Sequence, residues 1–179
     1  DARNALDALL AGKSVAVEKT RVFGCWTKWA DKPEDARKSL RKSHAEPAEL
    51  ATIDEAGVAK PAKNDTDKLL VVNVWATWCG PCVAELPELV TMNRMYRKRK
   101  FQLVTISLDE PDQQEAVLKT LKEQKVAVTN YLWTGESKDK LADLLDKEWA
   151  GPVPYTVVIA PGGKVLYRKS GPLEPLAVK

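Results

Sequence analysis

Two cysteines separated by two residues, Cys79 and Cys82, are the side chains of this sequence best suited to chemistry. At this spacing the two thiols can close a disulfide across one turn of a helix. The apolar, β-rich run at 68–77 predicts a buried strand, and residues 83–98 predict a helix. Cys79 would then stand at a helix N-terminus, where unpaired N–H groups and the helix dipole stabilise a thiolate. Because the thiolate is the form that attacks disulfides, this position indicates thiol–disulfide exchange.

Other roles for a cysteine pair at this spacing fit the sequence less well. A zinc site needs two more ligands, and the remaining candidates, Cys25 and His44, are not closely spaced. Covalent haem attachment needs a histidine directly after the second cysteine, where Val83 stands. A purely structural disulfide across the turn stays open as an alternative. We therefore expect a redox-active pair, with no metal and no cofactor.

The size and composition of the chain suit one domain with a substantial core and an appendage. The chain has 179 residues, of which 44% are hydrophobic, and a net charge of +3. This charge is too weak to indicate a nucleic-acid partner, and the basic run at 94–100 is typical of a solvated helix end. No stretch approaches the ~18 consecutive apolar residues of a membrane span. Since the chain starts without methionine and shows no signal peptide, we interpret it as a mature form or an excised piece of a longer protein.

The hydrophobic pattern predicts alternating strands and helices after residue 47. Strands are expected at 69–75, 101–108, 127–133, 155–160 and 164–169, helices at 80–98, 112–124 and 137–148, and a short strand near 50–53. This alternation predicts an α/β fold with a mostly parallel central sheet, to which the final hairpin adds an antiparallel edge. Residues 1–46 are predicted to form a small extension with helices at 1–10 and 33–44 and an extended segment at 14–23. The main domain is expected at 47–179.

Three features of the main domain resemble the thioredoxin superfamily: the motif WATWCGPC, Pro87 in the following helix, and VPYT before a strand. Within that superfamily the chain looks like the TlpA/ResA-type thiol–disulfide oxidoreductases. Asn73 stands where thioredoxins carry a buried aspartate, and Glu85 stands where this branch carries an acid. The helix–strand unit at 112–133 resembles the insert of the same branch.

The resemblance implies a division of labour among the residues of the motif helix. Cys79 would be the attacking thiolate and the more exposed cysteine, and Cys82 would resolve the mixed disulfide. Glu85, one turn beyond Cys82, would relay a proton. The alternative for Glu85 is an ordinary exposed helix residue.

Three further residues are expected to meet the substrate. Pro154 resembles the cis-proline that faces the disulfide in this fold, and Val153 before it would offer its backbone to an extended substrate strand. Trp78 would shield the reactive thiol. The alternatives are a trans proline in an edge loop and a surface tryptophan.

The resemblance also implies what the protein acts on. We expect a reductase of protein disulfides that is recharged by an upstream thiol reductant and works outside the cytoplasm. It would be periplasmic or secreted, with an anchor, if any, in a segment outside this sequence. The alternative is a thioredoxin-like docking module that donates electrons to a neighbouring peroxiredoxin-like domain.

The N-terminal segment carries a second, shorter resemblance. The runs ALDALLAGK and TRVFGC resemble the tail of a peroxiredoxin-like (AhpC/TSA) domain, which makes such a domain a candidate partner and suggests antioxidant activity. Cys25 would then be a resolving or inter-domain cysteine, or else an unpaired small hydrophobe. No peroxidatic PxxxTxxC pattern is present. Peroxidase activity of this chain alone is therefore not expected.

Overall fold

Strands and helices alternate along residues 51–170. The computed structural model describes residues 7–15, 34, 37–38, 40–42 and 45–173. In chain order the elements are β1 (Ala51–Ile53), α1 (Glu55–Lys63), β2 (Leu69–Trp75), α2 (Gly80–Tyr96), β3 (Phe101–Ser107), a 3₁₀ helix (Pro111–Gln113), α3 (Gln114–Glu123), β4 (Thr129–Trp133), α4 (Lys138–Leu145), β5 (Tyr155–Ile159) and β6 (Val165–Ser170).

The strands form one six-stranded sheet in the order β1-β4-β3-β2-β5-β6. The first four strands in this order run parallel, whereas β5 pairs antiparallel with both β2 and β6. Six of the seven β2 residues are buried, because β2 lies inside the sheet and both of its faces are covered. The predicted α/β fold, with a mostly parallel sheet and a final antiparallel hairpin, is confirmed.

One edge of this sheet collects the segments that carry the predicted chemistry. The carboxyl ends of parallel strands meet at the same edge, so α2, the 3₁₀ helix and α4 all begin there, after β2, β3 and β4. Strand β5 runs the other way and enters the sheet at this edge, where Tyr155 pairs with Val74. The residues just before β5 therefore lie beside the segment that leads from β2 into α2.

The N-terminal segment is described only in part. The chain divides into two compact units, Asp1–Ala36 and Arg37–Lys179. Residues 7–10 are helical, and Gly12 ends that helix with a φ of +66° that glycine adopts readily. The described positions between 34 and 42 are also helical. The extended segment predicted at 14–23 is described only at 14–15, and Cys25 lies outside the described residues, as do Asp1 to Leu6 of the first predicted helix.

Two elements differ from the sequence prediction. Helix α1 was not predicted, because Gly57 and Pro61 within it favour a loop; the Asp54 carboxylate caps its start, and it packs against α4. Helix α4 ends at Leu145, three residues earlier than predicted. Asp146 adopts extended backbone angles there and turns its carboxylate to Tyr155 and Arg168.

Candidate active site

A disulfide joins Cys79 and Cys82 at the start of α2. Cys79 is the N-cap residue of this helix, and its sulfur accepts a hydrogen bond from the Cys82 backbone N–H at 3.3 Å. Cys79 is 7% exposed, whereas Cys82 is completely buried. Cys79 is therefore the more accessible of the two cysteines.

The segment between β2 and α2 is held by a buried carboxylate, Asp109, which lies two residues after the end of β3. Asp109 is 2% exposed, and it accepts hydrogen bonds from the Thr77 backbone N–H at 3.0 and 3.2 Å. The hydroxyls of Thr77 and Ser107 also donate to it. Thr77 lies two residues before Cys79, so Asp109 fixes the backbone that leads to Cys79. The sequence analysis missed this residue.

Asp109→Ala is expected to lower the free energy of unfolding by about 3 kcal/mol, because it leaves the partly buried Thr77 N–H without an acceptor and removes a charged acceptor from two hydroxyls. Asp109→Asn keeps one carbonyl acceptor and is expected to cost about half as much. Urea denaturation measures both values. The exposed Asp112→Ala is the matched control, and equal losses in Asp109→Ala and this control would show that the hydrogen bonds to Thr77 are not stabilising.

Glu85 is buried behind the cysteine pair rather than exposed on the helix surface, with 5% of its surface accessible. Its carboxylate accepts hydrogen bonds from the side-chain amide of Asn73 and from the backbone N–H of Leu173, both at 2.8 Å. Burial raises the pKa of Glu85, and these hydrogen bonds oppose the shift without cancelling it. Because Cys82 and Glu85 are three residues apart on α2, they share one face of the helix.

The amide of Asn73 links Glu85 to the neighbouring strand β5. It donates a second hydrogen bond to the Thr156 hydroxyl at 3.0 Å, while its Oδ1 atom has no partner among the described residues. Two hydrogen bonds of the Asn73 amide therefore connect Thr156 to Glu85 within the apolar core. The Glu85 carboxylate at one end of this hydrogen-bonded chain lies in a low-dielectric environment. This environment disfavours the charged form and therefore raises the pKa of Glu85.

The Val153–Pro154 peptide bond is cis, and it lies at the same edge of the sheet as the cysteines. Since Tyr155 pairs with Val74, Pro154 is level with Trp75, four residues before Cys79. Val153 is half-buried and Pro154 is buried.

The loop that carries these two residues is anchored by aromatic and ionic contacts. Trp149 stacks on Tyr155 with ring centroids 4.8 Å apart and donates a hydrogen bond to the Pro152 carbonyl. The Tyr155 hydroxyl and the Arg168 guanidinium both donate to Asp146, at 2.6 and 2.8 Å. Burial raises the pKa of the Asp146 carboxyl, but the hydrogen bonds from Arg168 and Tyr155 outweigh burial and lower it.

Trp78 is the large apolar side chain next to Cys79 in the chain, and 58% of its surface is exposed. The ammonium group of Lys138, the first residue of α4, lies 5.0 Å from the centroid of its ring. This distance is within the range of a cation–π contact. The pairing joins residues sixty positions apart, and no motif in the sequence indicates it.

The described residues contain no cluster of three or more candidate metal ligands. None of the described helices is long and apolar enough to cross a bilayer.

The profile of the AhpC/TSA family matches residues 42–168 of the chain. A curated relative named thiol-disulfide oxidoreductase ResA, from Oceanobacillus iheyensis, is 31% identical over 99 residues, which are 55% of this chain and 47% of the relative. A second ResA relative, from Geobacillus thermodenitrificans, is 29% identical over 98 residues. The chain spans about half the length of these two relatives.

Two solved structures are similar in sequence and in fold. The thiol-disulfide oxidoreductase from Bacteroides fragilis is 28% identical with a TM-score of 0.52, covering 66% of this chain and 83% of its own. A thiol:disulfide interchange protein of the thioredoxin family from Chlorobium tepidum is 25% identical with a TM-score of 0.54. This alignment covers 74% of the present chain and 91% of the other.

Proposed function

The chain belongs to the AhpC/TSA family and has the thioredoxin fold, and on that premise we propose that it is a thiol–disulfide oxidoreductase that reduces protein disulfides. The observation that carries the proposal is the Cys79–Cys82 disulfide at the N-terminus of α2, with Cys79 7% exposed and Cys82 completely buried. The names of the relatives and of the similar structures support this activity.

The proposed cycle moves two electrons from the protein to the substrate. In the reduced protein, the Cys79 thiolate attacks one sulfur of the substrate disulfide, forming a mixed disulfide and releasing the other sulfur as a thiolate that takes up a proton. The Cys82 thiolate then attacks the Cys79 sulfur, which releases the second substrate thiol. The products are a reduced substrate and the Cys79–Cys82 disulfide. An upstream dithiol reverses these steps on the protein and resets it.

Glu85 is proposed to accept the proton of the Cys82 thiol. Cys82 is completely buried, so no bulk water contacts its thiol to take this proton. Glu85 lies one turn further along the same face of α2, and its raised pKa makes its carboxylate a better proton acceptor than a solvated glutamate. Glu85 would return the proton during the reverse cycle.

The substrate is proposed to bind as an extended chain across Val153 and Pro154, close to Trp78. The anchoring of the 146–155 segment through Asp146 and Trp149 supports this proposal, because a binding loop that is already ordered loses little entropy when it binds. Trp78 would cover the apolar side of the substrate next to the attacked sulfur.

The direction of the reaction and the compartment are further parts of the proposal. Thioredoxin, which carries the same Gly-Pro pair between its cysteines, has a reduction potential of about −270 mV, compared with about −120 mV for oxidising members of the fold. We therefore expect a reductant, outside the cytoplasm, with an antioxidant role if a peroxiredoxin-like domain is its partner. The comparisons do not favour a module that only docks such a domain, since the relatives are named for thiol–disulfide exchange.

Turnover of a generic protein disulfide tests the proposal. The wild-type protein is expected to accelerate the reduction of insulin by dithiothreitol, and equilibration with dithiothreitol redox buffers is expected to give a potential closer to −270 than to −120 mV. No acceleration above the rate without protein would contradict the proposed activity. A potential near that of the oxidising members would contradict its direction.

A further inference from the structure

Two of the chain segments around Cys79 contain no charged side chains. Residues 75–84 and 149–156 contain no aspartate, glutamate, lysine or arginine. Asp109 and Glu85, which bind or follow the first segment, are 2% and 5% exposed and make their hydrogen bonds inside the protein. Neither carboxylate is therefore available to a bound substrate.

Lys138 brings a positive charge next to these uncharged segments. Its ammonium group lies over the exposed ring of Trp78, directly beside Cys79 in the chain. Lys138 takes part in none of the ion pairs among the described residues. The N-terminus of α4, where Lys138 is the first helical residue and Ser137 caps the Lys140 N–H, adds partial positive charge at the same place.

Two other charged residues in the first turn of α4, Asp139 and Lys140, are directed differently. Asp139 follows Lys138 and is rotated by about 100° around the helix axis, since an α-helix has 3.6 residues per turn. Lys140 is turned by about 200°, and its charge helps to lower the pKa of Glu55, although the Glu136 backbone N–H lowers it more. Of these three residues, Lys138 is thus the one whose charged group contacts the Trp78 ring.

We propose that Trp78 and Lys138 together recognise an acidic side chain next to the disulfide of the substrate. This inference rests on the proposed function and names its substrate class: protein disulfides flanked by aspartate or glutamate. The exposed ring supplies apolar contact for the stem of the side chain, and the ammonium group above it pairs with the carboxylate. A basic side chain at the same position meets a like charge instead.

Three disulfide peptides test this substrate preference. They differ only in the residue next to one cysteine, which is glutamate, glutamine or lysine. With the wild-type protein and dithiothreitol, we expect kcat/KM to fall from the glutamate to the glutamine to the lysine peptide, with about a fivefold range at low salt. The range is expected to narrow at high salt, because the contact is exposed.

Lys138→Glu is expected to reverse the order of the peptides, while Lys138→Gln is expected to remove the preference. Lys140→Glu is the matched control, since it changes the net charge equally on the same helix but away from Trp78, and it is expected to keep the wild-type order. The ratio between peptides is independent of the fraction of folded protein, so a loss of stability does not imitate the effect.

The outcomes separate this inference from the function on which it rests. Equal rates for the three peptides with the wild-type protein, or the same shift in Lys138→Glu and Lys140→Glu, would overturn recognition by Lys138 and leave the oxidoreductase activity intact. Failure to reduce any of the peptides or insulin would overturn both.

Discussion

Cys79→Ser is expected to reduce turnover of protein disulfides to the rate measured without the protein. A serine hydroxyl forms no disulfide, so neither the mixed disulfide nor the Cys79–Cys82 bond can form. Cys82 cannot take over the attack, because it is completely buried in the described structure. The measurement is insulin reduction by dithiothreitol with equal amounts of wild-type and variant protein.

The control for this prediction is Cys25→Ser. Cys25 belongs to the N-terminal segment outside the predicted main domain, so this variant is expected to keep full turnover and to lose any disulfide-linked dimer on non-reducing gels. A large loss of turnover in Cys25→Ser would show that a third thiol takes part in the relay. Residual turnover in Cys79→Ser would contradict the assignment of Cys79 as the attacking residue.

Glu85→Gln is expected to slow the resolving step by about 10²-fold, the lower end of what positioned acid–base groups contribute. Glutamine has nearly the same shape as glutamate and can still accept from Asn73 or Leu173, but it cannot take a proton from Cys82. Rapid mixing of reduced protein with a disulfide peptide, followed across pH, measures the rate. We expect one ionisation in the wild-type profile to be absent from the variant.

Glu88→Gln is the matched control, since Glu88 lies on the same helix and is exposed. It is expected to leave the rates unchanged. Equal rates for Glu85→Gln and the wild-type protein at every pH would show that Glu85 has only a structural role.

The stability of the protein provides a second test of the buried carboxyl. The folded protein raises the pKa of Glu85 above its ordinary value of 4.5, so over that interval the folded state binds more protons than the unfolded state. The contribution of Glu85 to stability therefore falls as the pH rises from about 4.5 through the raised pKa. We expect the free energy of unfolding of the wild-type protein to show this decrease with pH. The free energy of unfolding of Glu85→Gln is expected to lack it.

The elements that follow local patterns were predictable from the sequence. Strand β2 is apolar except for Asn73 and was predicted with its observed ends, and the cysteine pair lies at the turn that follows it. Helix α1 was missed because helix propensity counts against its glycine and proline, whereas its packing against α4 stabilises it. Tertiary contacts outweigh local preference in this segment.

The residues that hold the site in place were less accessible to sequence reasoning. In the sequence, Asp109 is an acidic residue after a predicted strand, and no motif connects it with its hydrogen-bond partner Thr77, which lies 32 positions earlier in the chain. The role of Lys138 likewise depends on a contact with Trp78 that only the fold creates. Glu85 was identified through a family resemblance, but its burial depends on the backbone of Leu173, which follows the last strand. Such contacts are set by topology rather than by spacing.

The most direct test of the account is to trap the mixed disulfide and identify the cysteine that forms it. Cys82→Ser and Cys79→Ser, each in the Cys25→Ser background, are reduced, mixed with a disulfide peptide and analysed by non-reducing electrophoresis and peptide mass spectrometry. The account predicts a stable adduct on Cys79 in the Cys82→Ser variant, because the resolving thiol is absent, and no adduct in the Cys79→Ser variant. Equal trapping by the two variants, or an adduct on Cys82 alone, would contradict it.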